Sequence, residues 1–225
     1  MALTFPRPLL SVDVIIFSIL NNELVLLLTR RPAAGDEPFP GQPCLPGGFI
    51  DIDRDEDLEA CARRKLLEKT GVATPYLEQL ASFGSATRDP RGWTATVAYF
   101  ALLPLPAGVG ADVSWRPVAN LPPLAFDHGL LCQRALERLR AKGEYSSLPA
   151  FLLPEPFTLP QLQQVYEIVL GRPLDKSAFR KRMLDRDFLD EVGLQPSSGV
   201  RPAMGYRIRQ RQLDFFSQTF RPKEP

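Results

Sequence analysis

The sequence predicts an α+β protein in two domains, a strand-rich N-terminal domain carrying amphipathic helices and a C-terminal winged helix-turn-helix. Three observations carry that expectation. β-Branched and aliphatic runs alternate with helical periods as far as Lys142. A proline-rich stretch without period, Gly143 to Pro156, then interrupts the pattern. The charge balance also changes, since residues 1–154 hold 15 Lys and Arg against 17 Asp and Glu, whereas 155–225 hold 12 against 9. Domains are therefore expected at 1–150 and 151–225. At 225 residues, 44% hydrophobic and 24% charged, the chain is long and apolar enough for a packed core, which excludes a wholly disordered or fibrous protein.

Val12 to Leu20 and Leu24 to Thr29 are strand-like, and Asn21-Asn22-Glu23 between them reads as the turn of a hairpin. A loop rich in Pro and Gly follows, from Pro32 to Pro46. Leu45-Pro-Gly-Gly-Phe-Ile then leads through an acidic stretch into a helix over Glu56 to Thr70, because Leu58, Ala62 and Leu66 recur every four residues and Gly71 supplies the stop. Tyr76 to Phe83 and Thr94 to Leu103 are expected strands, joined by the loop Ser85 to Trp93. After the turn-rich Pro104 to Pro123, Asp127 to Lys142 is expected to be helical, with Leu130, Leu131, Ala135, Leu136 and Leu139 facing inward. Gly143 to Pro156 marks a linker or a tightly packed connection.

Beyond it, Thr158 can cap a helix whose Leu162, Val165, Tyr166 and Val169 form one stripe, and Gly171 ends it. Asp175 can cap a second helix, Lys176 to about Arg186. A turn containing Pro196, Ser197, Ser198 and Gly199 then joins two extended pieces, the second Tyr206 to Arg209. Helix, turn, helix and a glycine-tipped hairpin is the order of a winged helix-turn-helix.

Several classes of function are excluded or narrowed by composition. The longest apolar runs, Val14 to Phe17 and Leu24 to Leu28, fall far short of a membrane span of roughly 20 residues. The N-terminal residues lack the organisation of a secretory signal, so the cytoplasm is the expected location. Cys44, Cys61 and Cys132 are an odd number at unrelated spacings, which fits reduced, structural thiols better than a disulfide framework or a metal knuckle. His128 is the only histidine, so no two-histidine zinc site exists, and it reads as a surface residue before Gly129.

The stretch Gly48 to Val72 resembles the Nudix box, in which a glycine, a glutamate and then an Arg-Glu-apolar-x-Glu-Glu-x-Gly helix follow at set spacing. Glu56, Arg64, Leu66, Glu68 and Gly71 fall on that pattern. Two features depart from it. Seven residues instead of five separate Gly48 from Glu56, and Lys65 and Lys69 stand where helical glutamates belong. The family needs those carboxylates because Mg²⁺ requires several hard oxygen ligands, which i, i+3, i+4 spacing collects on one helical face. Here the trio Lys65, Glu68, Lys69 sums to +1 where the active pattern carries −3, an arrangement that repels a divalent cation. Asp51, Asp53 and Asp55 lie where they could stand in for Glu56. The resemblance implies an α/β/α sandwich around a mixed sheet, and the departures from it lead to the expectation that no catalytic residue is retained and no metal or cofactor is required. An ammonium can still hold a phosphate oxygen as a point charge, so a diphosphate could bind without being cut.

Arg88-Asp-Pro-Arg91-Gly-Trp93 places two guanidiniums and an indole in a tight turn, a combination suited to a nucleoside diphosphate. With Arg31, Gly47, Gly48, Lys65 and Glu68, the residues Arg88, Arg91 and Trp93 make up the candidate ligand set; Arg30 is a weaker candidate. In the second domain, residues 171–211 hold 10 basic against 5 acidic side chains. On the helix begun by Asp175, i, i+4 spacing turns Phe179 and Met183 to one side and Ser177 and Lys181 to the other, with Arg180 flanking. Lys176, Ser177, Arg180 and Lys181 on the helix, and Arg201, Arg207 and Arg209 on the wing, are the candidate DNA contacts.

From Phe157 to Arg209 the chain also resembles the C-terminal domain of the Nudix-related transcriptional regulators of NAD metabolism, notably in Tyr166-Glu167, Leu170-Gly-Arg-Pro-Leu-Asp-Lys176 and Arg201-Pro-Ala203. That resemblance implies a homodimeric repressor on palindromic double-stranded operator DNA, with ADP-ribose or a related nucleotide as effector and no membrane partner. The rival expectation is a working Nudix hydrolase, an ADP-ribose pyrophosphatase, with the tail as an accessory domain.

Overall fold

The structure is a computed structural model that describes residues 7–71, 73–74, 76–105, 112–195, 202–210, 212–217 and 219–220; of Lys69 and Thr70 it describes the backbone alone. The chain divides into two compact units, Met1–Phe17 with Val25–Ala101 and Ala107–Ala135, and Ser18–Leu24 with Leu102–Pro106 and Leu136–Pro225. No helix among the described residues is long and apolar enough to cross a membrane.

The apolar runs become the strands β1 (Leu9–Leu20) and β2 (Glu23–Arg30), both mostly in the first unit. Asn21 and Asn22 both have positive φ, at 51° and 62°, the conformation a two-residue hairpin turn requires and one that asparagine tolerates. Short strands β3 (Pro43–Cys44) and β4 (Gly47–Phe49) pair antiparallel with β2 and β1. Helix α1 (Leu58–Thr70) begins at Asp57, whose carboxylate accepts the Ala60 N–H at 2.7 Å, and ends at a left-handed Gly71. Cys61, Ala62 and Leu66 are its buried stripe.

β5 (Tyr76–Ser85), β6 (Thr94–Leu102) and β7 (Val113–Pro117) complete a seven-stranded sheet in the order β3-β2-β1-β6-β5, with β4 on β1 and β7 on β2. The sheet is mixed. Leu9 N–H bonds to Trp93 O, and Ser18 Oγ to Leu103 O, so β1 and β6 advance together. β7 lies inside the segment expected to be only turns. Its pairing with β2, from Val25↔Pro117 to Thr29↔Val113, supplies hydrogen bonds that a five-residue run cannot advertise.

Helix α2 (His128–Gly143) turns Leu131, Cys132, Ala135 and Leu139 inward. Leu130, expected inside, is 44% exposed because the stripe runs through 131, 135 and 139, and residue 130 lies one helical step, about 100°, to the side.

In the second unit the stretch expected to be a linker or a packed connection is the latter. Ser146 to Leu152 are buried, and Leu148–Leu152 form a 3₁₀ turn that contains residue 150, the expected boundary. After β8 (Phe157–Thr158), helix α3 (Leu159–Leu170) opens with a capping box in which Thr158 and Gln161 exchange bonds, and closes at left-handed Gly171. Helix α4 (Lys176–Leu184) is capped by Asp175 and ends two residues earlier than expected. β9 (Leu189–Gln195) and β10 (Ala203–Ile208) pair antiparallel, and β8 adds a third strand. The expected wing tip, Pro196 to Gly199, lies outside the described residues, as does Arg201.

The chain then returns. Phe216 N–H bonds to Tyr145 O, Phe220 N–H to Glu144 O, and Ser147 N–H to Asp214 O. The buried rings of Phe216 and Phe220 join Tyr166 and Phe179 in one aromatic cluster, with centroids 5.3 to 6.2 Å apart.

Candidate functional site

A cavity of about 500 Å³ opens in the first unit, and the pairing of β1 with β4 builds its floor. Asp13 interrupts the apolar face of β1 opposite Gly47. A Cβ at Gly47 would stand 2.4 Å from Asp13 Oδ1 and 2.5 Å from Val12 O, so the close approach demands glycine. Gly48 has φ +148°, and the Lys65 ammonium lies against it, 3.2 Å from where a Cβ would be. The Gly-Gly pair thus brings strand β1, the loop and helix α1 together.

Of the expected ligand set, Arg31, Gly47, Gly48, Glu68, Arg88 and Arg91 line this cavity. Trp93 does not. Its indole lies against Gly84 and is 52% exposed, in a separate depression with Arg7, Pro8 and Leu9. Lys65 reaches the rim beside Gly48. The side chain of Lys69 lies outside the described residues.

The arginines are already engaged. Arg88 is 8% exposed and makes a two-point pair with Asp127, Nε to Oδ2 at 3.0 Å and Nη2 to Oδ1 at 2.8 Å, with Asp13 Oδ2 at 3.5 Å. Arg91 is held in the same two-point way by Asp89 and also reaches Glu37. Burial opposes ionisation of Asp89, but its bonds from Arg91 outweigh that and hold the carboxyl below the usual range. Arg31 binds Glu37 at 2.6 Å and lies over the Phe126 ring, 4.8 Å from its centroid. Phe49 and Phe126, both on the wall, supply flat apolar faces for a ring, each with the Arg91 guanidinium nearby.

Asp13, Phe49, Phe126 and His128 are cavity residues that sequence reasoning missed. Asp13 carried a signal, a carboxylate inside an apolar strand; His128 carried none. Instead of a surface residue it is 5% exposed, because α2 starts against Leu45, whose N–H donates to Nδ1 at 2.9 Å. The ring proton therefore sits on Nε2, 3.6 Å from Asp13 Oδ1. Burial holds its pKa below the ordinary imidazole range, against the pull of Asp13 and Asp127.

On α1, Arg64 pairs with Asp55 at 2.6 Å through both Nε and Nη2, while Glu56, the residue at matching spacing, is exposed. The two extra loop residues explain this, since the loop folds back on Asp51 and presents Asp55 to the arginine. Arg64 holds the Asp55 carboxyl well below the usual range. Glu68 is gripped on both oxygens, by Arg54 at 2.9 Å and Arg64 at 3.0 Å. Burial opposes its ionisation, yet those bonds lower its pKa. A divalent ion needs several free oxygens. At the Nudix positions whose side chains are described, this helix offers an ammonium and one carboxylate already shared by two guanidiniums, and so does not fit such an ion.

In the second unit α4 buries Phe179 and Met183 and exposes Lys176, Ser177, Arg180 and Lys181 on one face. Lys176, Arg180 and Lys181 make no ion pair among the described residues. The wing differs. Arg207 lies 3.5 Å from Asp190, and Arg209 binds both Asp190, at 2.7 Å, and Asp187. Those two guanidiniums are partly neutralised by their own strand pair.

Comparison with known proteins covers both units. Residues 9–128 match the NUDIX domain, and residues 149–208 match the NrtR DNA-binding winged helix domain. The chain is 45% identical over 218 residues to the ADPR responsive transcriptional repressor NtrR of Acinetobacter baylyi, covering 94% of this chain and 86% of that protein. It resembles the crystal structure of Shewanella oneidensis NrtR complexed with a 27mer DNA, at TM-score 0.83 and 40% identity, over 93% of this chain and 98% of that one. The Shewanella NUDIX domain complexed with ADP ribose matches at TM-score 0.55 and 45% identity, over 60% of this chain and 90% of that one.

Proposed function

This chain belongs to the NrtR family of Nudix-related regulators, and from that premise we propose that it is a transcriptional repressor that binds operator DNA through its winged helix and senses ADP-ribose, or a related nucleotide of NAD metabolism, through its Nudix domain. One observation carries the reading: the cavity is intact while the Nudix helix presents the Lys65 ammonium and a Glu68 tied to Arg54 and Arg64. Such a site attracts a diphosphate and does not assemble a metal to cleave it. Residues 1–150 serve as sensor and 151–225 as reader. Arg31, Gly47, Gly48, Lys65, Arg88 and Arg91 bound the ligand site, and Lys176, Ser177, Arg180 and Lys181 meet the DNA, with the wing arginines on the adjacent backbone.

Two copies would act together in the cytoplasm on a palindromic operator, with half-sites about one helical turn of DNA apart. A duplex selected from genomic fragments by the purified protein should be released as ADP-ribose is added, read by fluorescence anisotropy. The same preparation with Mg²⁺ or Mn²⁺ should show no turnover of ADP-ribose approaching the median enzyme rate of about 10 per second. Rapid metal-dependent hydrolysis with indifference of DNA binding to the nucleotide would instead establish a hydrolase.

A further inference from the structure

We propose that Arg88 is the residue through which an anionic diphosphate in the cavity acts on helix α2. The inference rests on the reading of that cavity as a diphosphate site. Arg88 lines the cavity, yet its guanidinium is committed to Asp127 at 2.8 and 3.0 Å, with Asp13 at 3.5 Å. One buried cation thus already serves two carboxylates, and a diphosphate reaching it adds a third anionic partner. Phosphate oxygens that meet its Nη1 end then share one positive charge with Asp127, and their own charge repels that carboxylate, which weakens the pair.

Asp127 is where α2 starts. Its carbonyl accepts the N–H groups of Leu130 at 2.9 Å and Leu131 at 3.3 Å. Arg31 and Arg91 are paired as well, but with Glu37 and Asp89 on loops, so their release loosens no regular element. Helix α2 has its His128–Ala135 half in the first unit and its remaining turns in the second. Within the second unit, Arg140 Nε donates to Val169 O on α3 at 3.3 Å, and Glu144, just past the helix, pairs with Arg172 at 2.9 Å. Weakening the Asp127–Arg88 pair therefore loosens the first turn of a helix whose last turns belong to the second unit. Ligand and DNA are coupled because each favours a different state of that pair.

The test is Asp127→Asn in the full chain; asparagine keeps the shape and the preference for a helix start but removes the charge. ADP-ribose, followed by calorimetry, should bind several-fold tighter than to the wild type. The ratio of DNA affinities without and with ADP-ribose, read by anisotropy, should fall towards one. Either change without the other overturns the proposal, as does neither. The wild-type protein supplies a second readout that does not depend on the variant folding. Amide exchange at Leu130 and Leu131 should quicken several-fold when ADP-ribose is added, and unaltered exchange overturns the proposal. Wild-type protein that binds no ADP-ribose at all would overturn the diphosphate reading itself, an outcome distinct from any of these.

Discussion

His128 has two neighbouring carboxylates and still titrates low, because burial outweighs them. The folded state therefore takes up this proton less readily than the unfolded chain, whose imidazole titrates near pH 6.5, at about its model-peptide value. Stability from the neutral ring is complete above that point and is lost as pH falls from it towards the folded pKa. Lowering the pH from 7.5 to 5.5 should move the urea midpoint down, and His128→Gln should flatten that slope. A midpoint equally pH-dependent in the variant would refute the assignment. The test is clean because the chain has one histidine. The paired carboxylates Asp55 and Asp190, both lowered by their arginines, lose their contribution only below about pH 4. Chemistry at this scale was the least legible part of the sequence. Asp13 and Arg88 are 75 residues apart, and only the parallel pairing of β1 with β6 brings them together. Asp55 was one of three aspartates expected to stand in for Glu56, and which of the three meets Arg64 turns on how a loop folds back, which spacing along the chain does not encode.

At the level of elements, local chemistry was more telling. Thr158, Asp175, Gly71 and Gly171 announce helix ends because a cap acts within four residues of itself. β7 and the C-terminal return were illegible, since both are held by partners far away in sequence. That return matters to the DNA-reading helix. Phe220 stacks on Phe179 with centroids 5.8 Å apart, and the Arg182 guanidinium lies 4.0 Å above the Phe220 ring. Among the described residues Arg182 Nη1 is buried without a hydrogen-bond partner, and burial lowers its pKa, so the ring is part of what supports it, alongside the charge of Glu144. Phe220→Ala should destabilise the second unit by about 3 kcal/mol in urea unfolding, near the low end for a buried phenylalanine. DNA affinity should fall with it while ADP-ribose affinity holds. A loss confined to stability would mean that α4 keeps its seat without the ring.

For the molecule as a whole, the net charge of +1 conceals two unlike regions. Basic side chains of α4 face solvent, whereas the wing arginines are partly cancelled by Asp187 and Asp190. Each phosphate neutralised contributes about 0.9 to the slope of log affinity against log salt. Arg180→Ala should reduce that slope by about 1, and Arg209→Ala by a smaller amount because Asp187 and Asp190 already share its charge, both measured by anisotropy between 50 and 200 mM salt. Equal reductions would assign the wing a larger share of the phosphate contacts. Two-domain organisation and fold class were readable because periodicity and charge are summed over long stretches, where single-residue exceptions such as Leu130 do not matter. The two indoles of the chain occupy unlike surroundings. Trp93 stands half in water two residues from Arg91, while Trp115 is fixed in the sheet beside Leu27. Their emission spectra will therefore differ in colour and in susceptibility to collisional quenchers, giving the loop that carries Arg88 and Arg91 an intrinsic optical reporter with no dye attached.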